Sequence, residues 1–290
     1  MPRRAATSLL ACALLSGLVG GCSGDQPDAQ PDEVPGASAP AGETSASTAP
    51  AEPRSLVGTW RATATGQKGT IRLLEVSRPE LRLWVPCGEL GGSWDADSAG
   101  TFVAYTYSSH GRRCQQGAHR NTPAWLAAAT SFAEIDNVIE LRDADGEITA
   151  VLRPAKAQPE SPPRTGLSLK RLPSALPAGL RAAEASRLLH RTWIPVDWYD
   201  GIRRAPFVRF HRDRRLSGSD GCNSQSGRYT LAPDGLLVSV HGFQTLIGCE
   251  GDPVGSWVDS ATRVALDGAT LVLLDKRGDE VARLRAVRSR

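Results

Sequence analysis

The chain has 290 residues, 34 basic and 31 acidic side chains and a formal charge of +3, too little for a protein that holds nucleic acid through its phosphates. Hydrophobic residues make up 40% of it, so it is globular over most of its length, and that length exceeds what one small core needs.

The N-terminus reads as an export signal. Met1 to Arg4 carries two arginines, and Ala5 to Val19 is an apolar run with only small or hydroxyl interruptions, too short for a permanent membrane span. It ends Leu18-Val19-Gly20-Gly21-Cys22, which resembles a bacterial lipobox: residues 1–21 are expected to be a lipoprotein signal peptide, and Cys22 the residue that takes the lipid. Scarce lysine, a single methionine and abundant alanine, glycine and proline fit a high-GC bacterial source. Residues 22–54 are almost wholly small, polar or proline and cannot bury enough apolar surface to offset their chain entropy. They are expected to be a disordered leash, placing the protein on the outer face of the cell membrane.

Two folding units follow. Cys87 and Cys114 are 27 residues apart, and so are Cys222 and Cys249. Laying one pair on the other aligns Gly92 with Gly227, Trp94 with Tyr229, Gly100 with Gly235 and Val103 with Val238 without a gap. A second spacing repeats independently: Trp125 to Gly146 and Trp257 to Gly278 are both 21 residues, with Leu141 over Leu273 and Asp143 over Asp275. Trp60 and Trp193 open the two units. The pattern is that of a duplicated domain, residues 55–153 and 189–290, joined by a linker at 154–188.

In the first unit Ile71 to Val76, Leu81 to Val85 and Phe102 to Tyr107 read as strands. Thr122-Pro123 reads as an N-cap and a first-turn proline, opening a helix whose stripe is Trp125, Leu126, Ala129, Phe132 and Ala133. Val138 to Leu141 and Ile148 to Leu152 flank a glycine-bearing turn as a hairpin, and Leu167 to Leu172 is a candidate last strand. The second unit repeats the order: a strand at Phe207 to His211, a turn and strand at Leu216 to Asn223, and alternation from Leu236 to His241. After them come Asp252-Pro253, a helical stripe of Val254, Trp257, Val258, Ala261 and Val264, and a hairpin from Thr270 to Leu284. The expected fold class is α+β and mostly antiparallel: two tandem small domains, each an incomplete barrel or curved sheet with one packed helix.

Of six cysteines, Cys12 is expected to leave with the signal and Cys22 to take the lipid; the four that remain allow three pairings, of which the repeated spacing selects Cys87 with Cys114 and Cys222 with Cys249. Each bridge closes a loop whose chain entropy is worth roughly 3 to 4 kcal/mol.

The stretch Leu216-Ser217-Gly218-Ser219-Asp220-Gly221-Cys222-Asn223, with Gly227, Tyr229 and Gly248-Cys249, resembles a META domain of the HslJ-like kind. The likeness rests on Gly221, Cys222, Asn223, Gly227 and Tyr229 and covers about Leu189 to Val287. The family commonly carries an aromatic two residues after the asparagine, where this chain has Gln225. Residues 56 to 152 are similar as a diverged copy, with Gly88 in the asparagine's place. The resemblance implies an envelope protein of small α+β fold, tied to stress tolerance and without established chemistry.

No nucleophile elbow, phosphate loop or zinc-protease helix is present, so no catalytic residue, metal or cofactor is expected. His110, Cys114 and His119 have a spacing a metal could use, but Cys114 is claimed by its disulfide. Asp220 is expected to begin an Asx-turn. The arginines at 203, 204, 209, 212, 214 and 215, opposed by Asp213, read as a solvated strand face or as a contact for anionic lipid or wall polymer. Trp84 and Trp198 have no counterpart in the other unit and read as local packing or exposed binding residues. The function expected is therefore a non-catalytic, lipid-anchored envelope protein whose tandem domains bind or brace another envelope protein or polymer. A second reading is a carrier of an apolar ligand in the helix–sheet groove; a third, an enzyme, lacks the converging polar groups it requires.

Overall fold

The computed structural model describes residues 52–66, 71–77, 79–86, 88–107, 122–155, 175–199, 201–202, 204–248 and 250–287. The signal peptide, Cys22, most of the leash, Cys87, Cys114, Cys249, His110, His119, Arg203 and Leu167 to Leu172 lie outside them.

The first sheet begins after a 3-10 turn, Pro53–Leu56. Five strands follow, β1 (Gly58–Ala64), β2 (Ile71–Val76), β3 (Glu80–Val85), β4 (Gly88–Ala96) and β5 (Phe102–Tyr107), each antiparallel to the one before. Helix α1 (Ala124–Ala128) leads into β6 (Ser131–Ile135), β7 (Val138–Arg142) and β8 (Ile148–Pro154), and β8 pairs with β1. The order across the sheet is β5-β4-β3-β2-β1-β8-β7-β6. Its two edges meet at one end, where Phe102 N donates to Thr130 O at 2.7 Å and Phe132 N to Gly100 O at 2.9 Å, curling the sheet into a half-barrel.

The second sheet is built in the same way. After β9 (Arg181–Ala182) and α2 (Ala185–Leu188) come β10 (Thr192–Pro195), β11 (Phe207–Phe210), β12 (Arg215–Ser219), β13 (Ser224–Leu231) and β14 (Leu237–Gln244). Helix α3 (Val254–Ser260) then precedes β15 (Arg263–Asp267), β16 (Thr270–Leu274) and β17 (Glu280–Val287). The order β14-β13-β12-β11-β10-β17-β16-β15 is that of the first sheet, with β9 added at the edge. The closing bonds recur, Leu237 N to Thr262 O at 2.9 Å and Val264 N to Gly235 O at 2.8 Å. The α+β, mostly antiparallel class expected from the sequence is the one observed.

Both sequence offsets reappear as local structure. Before the helices, Gly92 and Gly227 sit where strands crowd: a Cβ on Gly92 would lie 2.1 Å from Tyr105 O, and one on Gly227 2.3 Å from Val240 O. After the helices, the pairing register shifts at Leu141/Arg142 and again at Leu273/Leu274. The hairpins that follow are tied alike. Asp143 Oδ1 accepts from the amides of Asp145 and Glu147, and Asp275 Oδ1 from those of Arg277 and Asp279.

Each sheet wraps its own core. Leu83, Leu90, Trp94, Leu126, Ile139 and Leu141 centre the first, and Trp193, Phe210, Tyr229, Val258, Leu271 and Leu284 the second. The opening tryptophans anchor themselves, Trp60 Nε1 donating to Leu56 O at 2.8 Å and Trp193 Nε1 to Leu188 O at 3.1 Å.

Three expectations need correction. The first helix ends at Ala128, and Phe132 and Ala133 lie on β6, because Phe132 pairs with Leu141 in the sheet; ladder bonding outweighs an apolar spacing that fits either form. Val264 likewise lies on β15. Neither Thr122 nor Asp252 caps a helix: the N-caps are Pro123 and Pro253, without side-chain bonds. Thr122 Oγ1 instead accepts from Thr106 N at 2.9 Å, and Asp252 Oδ2 from Tyr199 N at 3.2 Å. Finally, the second part of the stretch read as a linker is built into the sheet. Ala183 and Leu188 are fully buried, and Leu176 and Leu180 pack on Ala265, Val272 and Leu274.

The halves touch through β5 and β14. Val103, Val238 and Val240 form a small buried cluster with Tyr105 against it, and Thr230 Oγ1 donates to Phe102 O at 2.8 Å while Ser93 Oγ donates to His241 O at 2.6 Å.

Candidate functional site

The motif Gly221, Cys222, Asn223, Gly227 and Tyr229 falls on the β12–β13 hairpin and its neighbours. Asp220 begins the Asx-turn expected of it, its Oδ1 accepting from Cys222 N at 2.7 Å and from Asn223 N. Gly221 takes φ +97°, and a Cβ there would lie 2.2 Å from Ile202 Cγ2 and 2.7 Å from Arg204 O, so no larger residue fits this turn. Cys222 is disulfide-bonded; its expected partner Cys249, and all of the Cys87–Cys114 pair, lie outside the described residues.

Asn223, 6% exposed, ties two loops together. Its Nδ2 donates to Asp220 Oδ2 and to Ile247 O, both at 3.2 Å, and its Oδ1 accepts from Ile247 N at 2.6 Å and Thr245 Oγ1 at 3.1 Å. Asp252 N adds a bond to Asp220 O at 3.0 Å. The loop so held presents Leu246 and Ile247 to solvent beside Phe243. Tyr229 is the core member of the set: edge-on to Phe210 at 5.0 Å, its hydroxyl donates to His211 O at 3.0 Å, and burial pushes it up to about 12. These motif residues thus form one structural unit, of which Gly227 reaches the edge of an opening.

Sequence reasoning missed the group that does line an opening. A cleft of about 710 Å³ lies where α1 and β5 face the 211–215 turn, β12 and β13. Arg228, 7% exposed, crosses it to give Nη2 to Ala127 O at 2.6 Å and to Asp213 O at 3.0 Å. Arg214, at a left-handed φ of 62°, gives Nη2 to Ala128 O at 2.7 Å. The two guanidiniums therefore bind carbonyls at the C-terminal end of α1, where unpaired acceptors collect. Burial, then the nearby Arg214 charge, brings Arg228 down to about 10. At the same wall His211 Nε2 lies 2.7 Å from Ser217 Oγ, and burial lowers the histidine, favouring neutral imidazole. The arginine run was the available signal, but which of its members turn inward was not.

Three other members of that run are engaged locally. Arg209 Nε donates to Thr192 Oγ1 at 2.8 Å with its guanidinium 5.0 Å from the Phe207 ring centre, Arg212 Nε meets His190 Nε2 at 3.3 Å, and Arg215 pairs with Asp213 at 2.6 Å. Trp84 and Trp198 are half-buried, Trp198 with the Arg285 guanidinium 5.8 Å from its ring centre.

Between α3 and its sheet, the space lined by Gln225, His241, Gly255 and Val258 is only about 20 Å³, and Gln225 Nε2 is buried there without a partner. Nearby, Ser239 Oγ donates to Val258 O at 3.0 Å and Asp259 Oδ1 at 3.2 Å, while His241 Nδ1 meets Asp259 Oδ2. The carboxylate stands between hydroxyl and imidazole, whereas a nucleophilic triad places the imidazole in the middle. Among the described residues no helix is long and apolar enough to cross a membrane.

A META domain is found at residues 186–288, the segment from α2 to β17 that carries the motif. No curated protein matches the chain.

Proposed function

We propose that the protein is a non-catalytic envelope lipoprotein of HslJ-like type, active in stress tolerance, whose first half is a diverged second copy of the META domain. In this reading Cys22 carries the lipid, residues 22–54 clear the headgroup layer, Cys87–Cys114 and Cys222–Cys249 staple the halves, and the joined halves bind or brace another envelope component. The observation that supports it best is the shared strand order of the two sheets, with equivalent closing bonds and register shifts at the sequence's own offsets. The residues with the family's motif shape a hairpin and staple a loop rather than ring a reaction centre, which fits a scaffold more than a catalyst.

Among the described residues the space between α3 and its sheet is about 20 Å³, room for a water molecule rather than an acyl chain, which weighs against a carrier role at that groove.

Mass spectrometry of native protein from a bacterial membrane, unreduced, tests the anchor and the staples. Acylated Cys22 with two bridges, each inside one half, is expected; an unmodified Cys22 removes the anchor, and Cys87 joined to Cys222 removes the duplication. Crosslinking in the same membranes should capture one recurrent neighbour, and a spread of unrelated ones would defeat the bracing role.

A further inference from the structure

The cleft between the halves holds more positive charge than the protein neutralises. Arg214 Nη1 is buried and has no hydrogen-bond partner, an arrangement that costs stability unless an acceptor arrives. Arg228 and Arg214 are met by main-chain carbonyls of α1 and of Asp213, which supply dipoles and no counter-charge. Among the described residues the one acidic side chain lining the cleft, Asp213, is held by Arg215 Nε at 2.6 Å, and Asp143, outside the lining, attracts Arg214 from a distance. Ser217 and His211 add neutral hydrogen-bonding groups on the same wall.

We propose that this cleft is a binding site for a phosphoryl group, carried either by a soluble organic phosphate or by a lipid headgroup. Guanidinium forks match phosphoryl oxygens in pairs. Tetrahedral phosphoryl oxygens, three in a monoester and two in a diester headgroup, can engage Arg214, Arg228 and the Ser217 hydroxyl from different directions, where a carboxylate offers two in one plane. The cleft, about 710 Å³, falls within the usual range of small-molecule sites and exceeds what a bare ion fills. This inference is independent of the anchor and the bracing role, and either can fail without the other.

The test uses the full chain carrying Cys22→Ser, which removes the proposed lipidation site, at fixed ionic strength. Glycerol phosphate is titrated calorimetrically with acetate as control, and vesicles of phosphatidylglycerol are compared with vesicles of phosphatidylcholine. Binding of glycerol phosphate about tenfold tighter than acetate, weakened about tenfold or more by Arg214→Gln, supports a soluble phosphate. Retention on phosphatidylglycerol vesicles alone, lost in the same variant, supports the headgroup. Arg212→Gln, at an exposed position outside the cleft, should change neither. Should Arg214→Gln fail to fold, Ser217→Ala serves, with an expected loss of about threefold. No binding up to about 10 mM of glycerol phosphate and none to the vesicles, or equal binding by variant and parent, overturns the site.

Discussion

Asn223 shows what a polar residue is worth when both ends of its amide are used. Its two donors and two accepted bonds hold the loop after β14 to the β12–β13 hairpin, and truncation leaves Ile247 N and O without those partners. Asn223→Ala is expected to cost about 2 to 4 kcal/mol, read as a lower urea midpoint, with faster amide exchange at Ile247. His211 gives a pH dependence. Its folded pKa lies below the ordinary 6.5, first because of burial and then through Arg215 and Arg209, against the attraction of Asp213. The unfolded chain therefore takes up the proton first, so this contribution is complete above about pH 6.5 and is lost as pH falls toward the folded value. Stability should decline over that window, and His211→Gln should decline less, in urea titrations at pH 7.5 and 5.5.

Three strands in each half were not legible as strands, and they are equivalent ones: β1 and β10, β4 and β13, β6 and β15; the short β9 of the second sheet was missed as well. The β4 stretch Gly88-Glu89-Leu90-Gly91-Gly92-Ser93 and the β13 stretch Ser224-Gln225-Ser226-Gly227 are too rich in glycine and serine to show a strand's composition. Those glycines are what the sheet needs, since Gly92 and Gly227 lie under a neighbouring carbonyl. Gly92→Ala and Gly227→Ala are each expected to cost about 3 kcal/mol or more, because backbone rather than a side-chain tip must move; equal urea midpoints for parent and variants would contradict this. On β6 and β15 the apolar spacing continued that of the preceding helices, and only pairing with β7 and β16 settled the form.

At the scale of the whole molecule, the first half of β14, Leu237 to Val240, is buried on both faces. Leu237 belongs to its own half's core and Ser239 bonds to α3, while Val238 and Val240 meet Val103 of the other half. Alternation along β14 was legible, but it marked one face as polar and gave no sign that both would be covered. Val238→Asp would place a charge in that contact, at a position 1% exposed, against a desolvation cost of several kcal/mol. The halves are expected to separate, raising the radius of gyration in small-angle scattering while far-ultraviolet dichroism is kept. An unchanged radius would mean that the junction does not rest on this cluster.

By itself the sequence determined the α+β, mostly antiparallel class and the META domain toward the C-terminal end, because spacing, periodicity and turn chemistry are local. The tertiary structure alone decided that the halves close on each other through β5 and β14, that Arg214 and Arg228 turn inward to the carbonyls of α1, and that a charged cleft results. Those outcomes depend on which distant surfaces meet, and a pair such as Arg228 and Ala127, 101 residues apart, leaves no periodic trace in either partner.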